Sequence, residues 1–247
     1  MPSIDLARVK FILLDIEGTT TPADFVHRTL FGHARRNLEL FLESNQNEPE
    51  IRRCLDELKL HNATDEQEGR MPPRWGCDTA QAEMASAAQY VLWLMDRDSK
   101  IGPLKTLQGL IWDEGYRAGM LKGEVFADVP RAFDRWRKQG KRIAIYSSGS
   151  ELAQRHLFGS TRFGDLSLHI SAFFDVRVGV KTSIASYKKI ASASACSEDR
   201  FLFLSDLVAE LDAARSAGMQ TALIVRSAGN RGDTRGHVVI QNFDALE

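Results

Sequence analysis

The sequence predicts an α/β protein: a doubly wound parallel sheet with helices on both faces and a helical block inserted after the first strand. Three observations lead there. Four short apolar runs, rich in β-forming residues, recur along the chain. A helical pattern stands before each of the last three, and strands alternating with helices build parallel sheets. Residues from about Asp24 to Lys122 carry no such run.

Val9 to Leu14 (VKFILL) is the first run, a buried strand that ends at Asp15 and turns at Gly18. The inserted block follows. Phe25 to Leu42 reads as helix, with Leu30, Leu38 and Phe41 among its apolar positions. His61 to Asp78 is polar, holds Pro72 and Pro73, and reads as a long loop. Thr79 to Met95 is Ala-rich and amphipathic, and Pro103 opens a further helix. Val129 to Gln139 then places Val129, Phe133 and Trp136 on one helical face, with Gly140 as a stop. Arg142 to Tyr146 (RIAIY) is the second strand and ends at Ser147-Ser148-Gly149-Ser150, with a helix starting near Glu151. Ser183 to Ala193 is helical, and Phe201 to Leu204 (FLFL) is the third strand, ending at Ser205-Asp206. Val208 to Ala217 is an Ala- and Leu-rich helix stopped by Gly218, and Thr221 to Val225 (TALIV) is the fourth strand. The expected division is 1–23 with 123–247 as the core and 24–122 as the insertion.

Composition narrows the function classes. With 43% hydrophobic and 26% charged residues, the 247-residue chain can bury a core and remain soluble. A net charge of -1 gives no electrostatic reason to expect nucleic acid or an anionic membrane as partner. No stretch approaches the ~20 apolar residues of a membrane span. The N-terminus carries Asp5 before a short apolar run and has no small-residue cleavage site, which argues against a secretory signal. Cys54, Cys77 and Cys196 are odd in number and widely spaced, as expected of reduced thiols in a cytoplasmic protein.

The polar residues at the strand ends carry the chemistry, because ligands of such sheets bind outside the carboxyl ends of the strands. Asp15 and Glu17 place two acids beside one strand end, and a divalent cation relieves their repulsion. Magnesium suits a few carboxylates with waters and phosphate oxygens. Thr19 suits a phosphate or a turn cap. The serines from Ser147 to Ser150 offer hydroxyls and backbone N–H groups to phosphate oxygens, although taken alone the motif is better explained by a plain helix cap at Ser150 or a neighbour, and both can hold. Lys181 precedes a helix and gains meaning only if it meets the same site. Asp206 is either a metal ligand or the cap of the next helix, and Glu210 follows one turn later.

In combination these residues resemble the haloacid dehalogenase superfamily of phosphatases, with a Rossmann-like core. Its first motif normally carries a second Asp where this chain has Glu17, and the run DIEGTTTP is similar to the enolase-phosphatase (acireductone synthase) family of methionine salvage. GYRAGMLKGEVFADV (Gly115 to Val129), IYSSGS (Ile145 to Ser150), QRHLFGS (Gln154 to Ser160), FFDVRVGVK (Phe173 to Lys181), SYKKIA (Ser186 to Ala191) and FLSD (Phe203 to Asp206) resemble it too. The resemblance implies Asp15 as nucleophile and Mg²⁺ ligand. It implies Glu17 as a second ligand, through its backbone carbonyl or otherwise, with its side chain as acid/base. Ser147 and Ser148 would bind phosphate, Lys181 would hold substrate and Asp15, and Asp206 would be the third ligand.

The implied substrate is a small phosphorylated diketone, 5-methylthio-2,3-dioxopentyl phosphate, enolised and then dephosphorylated. Candidates for the enolisation base are Glu17 and an acid or lysine contributed by the insertion, such as Lys122 or Glu124. The insertion would act as a cap, with Trp93, Trp112 and Met120 either lining the pocket for the methylthio tail or packing in the cap's own core. A cytoplasmic monomer is expected, nuclear as well in a eukaryote. The competing readings are a phosphatase for sugar or nucleotide phosphates and a non-catalytic binding protein. A dehalogenase needs no metal triad, and no HExxH pattern supports a zinc hydrolase.

Overall fold

The computed structural model describes residues 3–76, 78–226 and 233–246. In chain order it runs β1 (Phe11–Leu14), α1 (Ala23–Phe25), a π-helical segment (Val26–Phe31), α2 (Gly32–Asn45), α3 (Pro49–Gln67), α4 (Ala80–Asp96) and α5 (Gly102–Arg117). It continues with α6 (Asp128–Lys138), β2 (Arg142–Tyr146), α7 (Glu151–Gly159), β3 (Ile170–Phe174), α8 (Ile184–Ala193), β4 (Phe201–Ser205), α9 (Val208–Ser216), β5 (Gln220–Ile224) and β6 (Val238–Ile240). The chain forms two compact units. One joins Met1–Val26 to Lys122–Glu247, and the other is His27–Leu121.

The first unit carries the sheet, in the order β3-β2-β1-β4-β5-β6 with every neighbouring pair parallel. β1 lies between β2 and β4, with Leu14 level with Ile145 on one side and Leu204 on the other. The chain builds outward from β1 in one direction and then in the other, so the strand order reverses beside β1 and opens a crevice at the carboxyl ends. Every residue of β1 is buried, which a central strand covered on both faces requires.

Side chains alternate across the sheet. Phe11, Leu13, Phe201 and Phe203 form one core with Tyr187 and Ile190 of α8 and Leu211 and Ala214 of α9. Within it the rings of Phe11 and Phe201 stack with centroids 4.7 Å apart. Ile12, Leu14, Ile143 and Ile145 take the alternate positions. α6 packs on β2, and its Phe133 and Trp136 meet Phe158 of α7 and Phe243 in an aromatic layer. The last turn of α6 carries Arg135, Arg137 and Lys138, which complement the negative end of its dipole, and Gly140 at φ 72° closes it.

The second unit is helical and has its own core, including Leu38, Leu55, Leu58, Tyr90, Leu107 and Ile111. Pro49 and Pro103 stand in the first turns of α3 and α5, and Thr79 caps α4 by accepting from the Ala82 N–H.

Three features depart from the sequence expectation. β3 and β6 are strands that the apolar runs did not reveal. Both are edge strands with partly exposed residues, so neither is a continuous buried run. α3 reaches Gln67, so the first part of the expected loop from His61 is helix. Its last inward positions are Asn62 and Asp65, which hides the helical period. Asp65 is satisfied by the Tyr90 hydroxyl at 2.6 Å and Arg70 at 2.6 Å. The helix expected from Phe25 opens on π-helical Val26–Phe31. Cys54 and Cys196 are free thiols, and Cys77 lies outside the described residues. Among the described residues no helix is long and apolar enough to cross a membrane.

Candidate active site

Asp15 follows β1 and is buried, and its N–H donates to the Leu204 carbonyl at 3.0 Å, extending the ladder with β4. The chain then folds back tightly. The Ile16 carbonyl accepts from the N–H groups of Thr19, Thr20 and Thr21, and the Gly18 N–H donates to the Thr21 carbonyl. Gly18 has φ +71°, and a Cβ there would lie 2.2 Å from Asp206 Oδ2. Only glycine lets this turn pass so close to that carboxylate. The Thr19 hydroxyl donates to Asp15 Oδ2 at 3.3 Å, and Glu17 is half-buried in the same turn.

Lys181 arrives from the loop between β3 and α8. Its ammonium lies 2.5 Å from Asp15 Oδ1 and 2.7 Å from Glu210 Oε2, with all three side chains nearly covered. Two tyrosines set the loop: the Tyr187 hydroxyl donates to the Lys181 carbonyl at 2.7 Å and the Tyr146 hydroxyl to the Gly179 carbonyl at 2.8 Å. The Ser186 hydroxyl holds the Val180 carbonyl at 2.8 Å. Burial pulls the Lys181 ammonium down, but the carboxylates of Asp15 and Glu210 outweigh it and hold its pKa above the usual lysine range.

The end of β4 supplies Asp206, and the first turn of α9 supplies Glu210. The Ser205 hydroxyl donates to Glu210 Oε2 at 2.9 Å and accepts from the Leu207 N–H at 3.1 Å. The N-cap of α9 is Leu207, without a side-chain cap, so Asp206 is not spent on capping. Burial, then the nearby charges of Asp15 and Glu210, push the Asp206 carboxyl up to about 7. Burial likewise raises Glu210, against the pull of Lys181.

At the end of β2, Ser147 is buried. Its N–H donates to the Phe174 carbonyl at 3.1 Å, and its hydroxyl accepts from the Gly149 N–H at 3.3 Å. Ser148 is exposed, and Ser150 caps α7 through the Ala153 N–H. The capping role therefore falls to Ser150, which leaves the Ser148 side chain open at a strand end one strand from Asp15.

Asp15 and Glu210 thus share the Lys181 ammonium, and the Asp206 carboxyl lies near enough to feel the charges of all three, so a hard cation suits these crowded oxygen donors. Among the described residues, however, no group of three or more His, Cys, Asp or Glu is placed to hold a metal ion. Asp15, Glu17 and Asp206 do not make a cage of three side chains. A fitting set needs the backbone and solvent besides carboxylates, as magnesium tolerates.

The three helical-unit candidates divide. Trp93 and Trp112 pack against that unit's core, Trp93 stacked on Tyr90 and the Trp112 indole N–H donating to the Leu30 carbonyl. Met120 is exposed. Lys122, exposed, and Glu124, half-buried, belong to the unit with the sheet and not, as expected, to the helical insertion. A cleft of about 610 Å³ in the helical unit, lined in part by Phe41, Glu50, Leu110 and Asp113, contains none of the expected site residues. Sequence reasoning missed Tyr146, Tyr187 and Arg226. The tyrosines read as core, and Arg226 carried one signal, its place just beyond a strand's carboxyl end.

No family model matches the chain. Enolase-phosphatase E1 of Synechococcus elongatus is 44% identical over 235 residues, covering 95% of this chain and 96% of that protein. The chain belongs to the enolase-phosphatase E1 family. The crystal structure of the UTR4 protein of Saccharomyces cerevisiae, 32% identical, aligns over 96% of this chain and 100% of that one with a TM-score of 0.73. The HAD-hydrolase YfnB of Bacillus subtilis, described as bound to magnesium, shares the fold with a TM-score of 0.52 at 14% identity over 97% of each chain.

Proposed function

We propose that this chain is a Mg²⁺-dependent enolase-phosphatase. It would convert 5-methylthio-2,3-dioxopentyl phosphate to the acireductone 1,2-dihydroxy-5-(methylthio)pent-1-en-3-one and phosphate, as methionine salvage requires. Membership of the enolase-phosphatase E1 family supports the substrate. The observation that carries the chemistry is the Lys181 ammonium held between Asp15 and Glu210.

Asp15 is the nucleophile in this reading. One carboxylate oxygen attacks phosphorus in line, the bond to the substrate oxygen breaks, and an aspartyl-phosphate forms. Water attacks that phosphorus, releases inorganic phosphate and restores Asp15. Lys181 neutralises the carboxylate and the incoming phosphate together, and Ser147 and Ser148 bind phosphate oxygens at the neighbouring strand end. Glu17 donates a proton to the leaving oxygen and takes one from the attacking water. It is also the candidate base for enolisation. Asp15, Asp206 and the Glu17 carbonyl would hold Mg²⁺, whose charge would offset that of the phosphate and polarise a chelated carbonyl.

The unit with the sheet is read as the catalytic core and the helical unit as its cap. A cytoplasmic monomer acting on a small molecule, with no nucleic acid or membrane as partner, completes the reading.

The test is phosphate release from the diketone phosphate, with the enediol followed by absorbance, in Mg²⁺ and in a chelator. Release should require Mg²⁺ and vanish in Asp15→Asn. Activity that survives that substitution refutes Asp15 as nucleophile, and strong preference for a sugar or nucleotide phosphate in a substrate panel overturns the assigned substrate.

A further inference from the structure

The turn that carries Asp15 is gripped from behind. Arg226 stands just beyond β5, with its side chain only 10% exposed. Its Nε and one terminal nitrogen both donate to the Thr19 carbonyl, at 2.9 and 2.6 Å. The other terminal nitrogen lies 2.7 Å from Asp128 Oδ2. Asp128, at the start of α6, also accepts from the Phe243 N–H at 2.7 Å, so the ion pair is itself anchored. The rings of Phe126 and Phe243 lie 4.2 and 4.6 Å from the guanidinium carbon. The Phe126 N–H holds the next carbonyl of the turn, that of Thr20, at 3.0 Å.

Thr19 connects this grip to the reacting group. Its residue is fully buried, and its hydroxyl donates to Asp15 Oδ2 while Lys181 takes Oδ1. Each carboxylate oxygen thus has a fixed neighbour. A carboxylate that must meet phosphorus in line gains from such two-point restraint, since small misplacements are costly in rate. A planar fork is needed to place two N–H groups on one carbonyl and a third on a carboxylate, which an ammonium cannot do.

We propose that Arg226, seated on Asp128, is a positioning residue: by clamping the Thr19 carbonyl it lets the Thr19 hydroxyl hold the Asp15 carboxylate in its attacking orientation. This inference rests on the reading of Asp15 as the nucleophile.

The experiment compares wild type, Thr19→Val, Arg226→Lys and the double variant. It measures kcat and KM for Mg²⁺-dependent phosphate release from the diketone phosphate, with thermal melts confirming the fold. Arg226→Lys should lower kcat about tenfold or more and leave KM within about twofold. Thr19→Val should do the same, and the double variant should be no slower than the slower single one. If Arg226→Lys fails to fold, Asp128→Asn takes its place in the cycle with the same expectation. A wild-type kcat in the folded clamp variant overturns the proposal, as does a double variant whose loss is the product of the single losses. Phosphate release that survives Asp15→Asn refutes the nucleophile reading and the clamp together. Active wild type with an unaltered clamp variant refutes the clamp alone.

Discussion

Lys181 donates to Asp15 at 2.5 Å although 166 positions separate them in the chain. The same ammonium reaches Glu210, so one lysine compensates two buried carboxylates, one just beyond β1 and one in the first turn of α9. Removing it leaves negative charge buried without a partner, which costs several kcal/mol. Lys181→Met should therefore abolish phosphate release and lower unfolding stability by about 3 kcal/mol or more at neutral pH. Urea denaturation checks the second half. Adding Glu210→Gln should recover part of that stability without recovering activity. A double variant no more stable than Lys181→Met would show that the two charges are not coupled.

Gly18 faces Asp206 so closely that any side chain must displace the carboxylate. Gly18→Ala should lose activity and lose stability beyond the ~1–2 kcal/mol of left-handed backbone strain. Gly119 has the matching φ of +70° and nothing within 4 Å of its would-be Cβ, so Gly119→Ala isolates the strain. Thermal melts of the two variants should differ, with Gly18→Ala the lower. Equal melts would mean that the Asp206 contact carries no energy.

The Tyr187 hydroxyl holds the backbone of Lys181 itself. Tyr187→Phe should cost about 1 kcal/mol of stability. It should also lower kcat several-fold, because the lysine loop loses one of its ties. Steady-state kinetics beside a melt separate these effects. An unchanged kcat with a lowered melting point would leave Tyr187 a purely structural tie.

His237 predicts a pH dependence away from the site. Its side chain is fully buried, with Thr221 Oγ1 at 2.7 Å from Nδ1 and Asp212 Oδ1 at 3.1 Å from Nε2. A neutral ring with the proton on Nε2 donates to Asp212 and accepts from the Thr221 hydroxyl. Burial lowers its pKa, outweighing the pull of Asp212, with Arg215 adding to the lowering. The folded state then binds fewer protons than the unfolded chain. The stability from neutral His237 is present above the unfolded pKa near 6.5 and is lost as pH falls from there through the lower folded value. Urea midpoints should drop between pH 7.5 and 5.5, and by less in His237→Gln. An equal drop in both proteins would remove His237 as a source.

Much of this architecture was legible because a central parallel strand must be apolar throughout. VKFILL, RIAIY, FLFL and TALIV announced β1, β2, β4 and β5, and their polar ends pointed to where ligands bind. The edge strands escaped for different reasons: Ser171 interrupts the apolar residues of β3, and β6 is only the three residues Val238–Ile240. The end of α3 escaped because its buried positions are the polar Asn62 and Asp65, satisfied by partners distant in the chain.

By itself the sequence determined the local periods, the acidic turn at Asp15, the serine run and the family resemblance, since each resides in neighbouring residues. Only the tertiary structure decided that Lys181 serves Asp15 and Glu210 together, that Asp206 is not a helix cap, and that Arg226 grips Thr19. These are pairings between the ends of different strands. Their energies arise from burial and from charge brought together in a low-dielectric crevice, which no stretch of chain possesses until the sheet has formed.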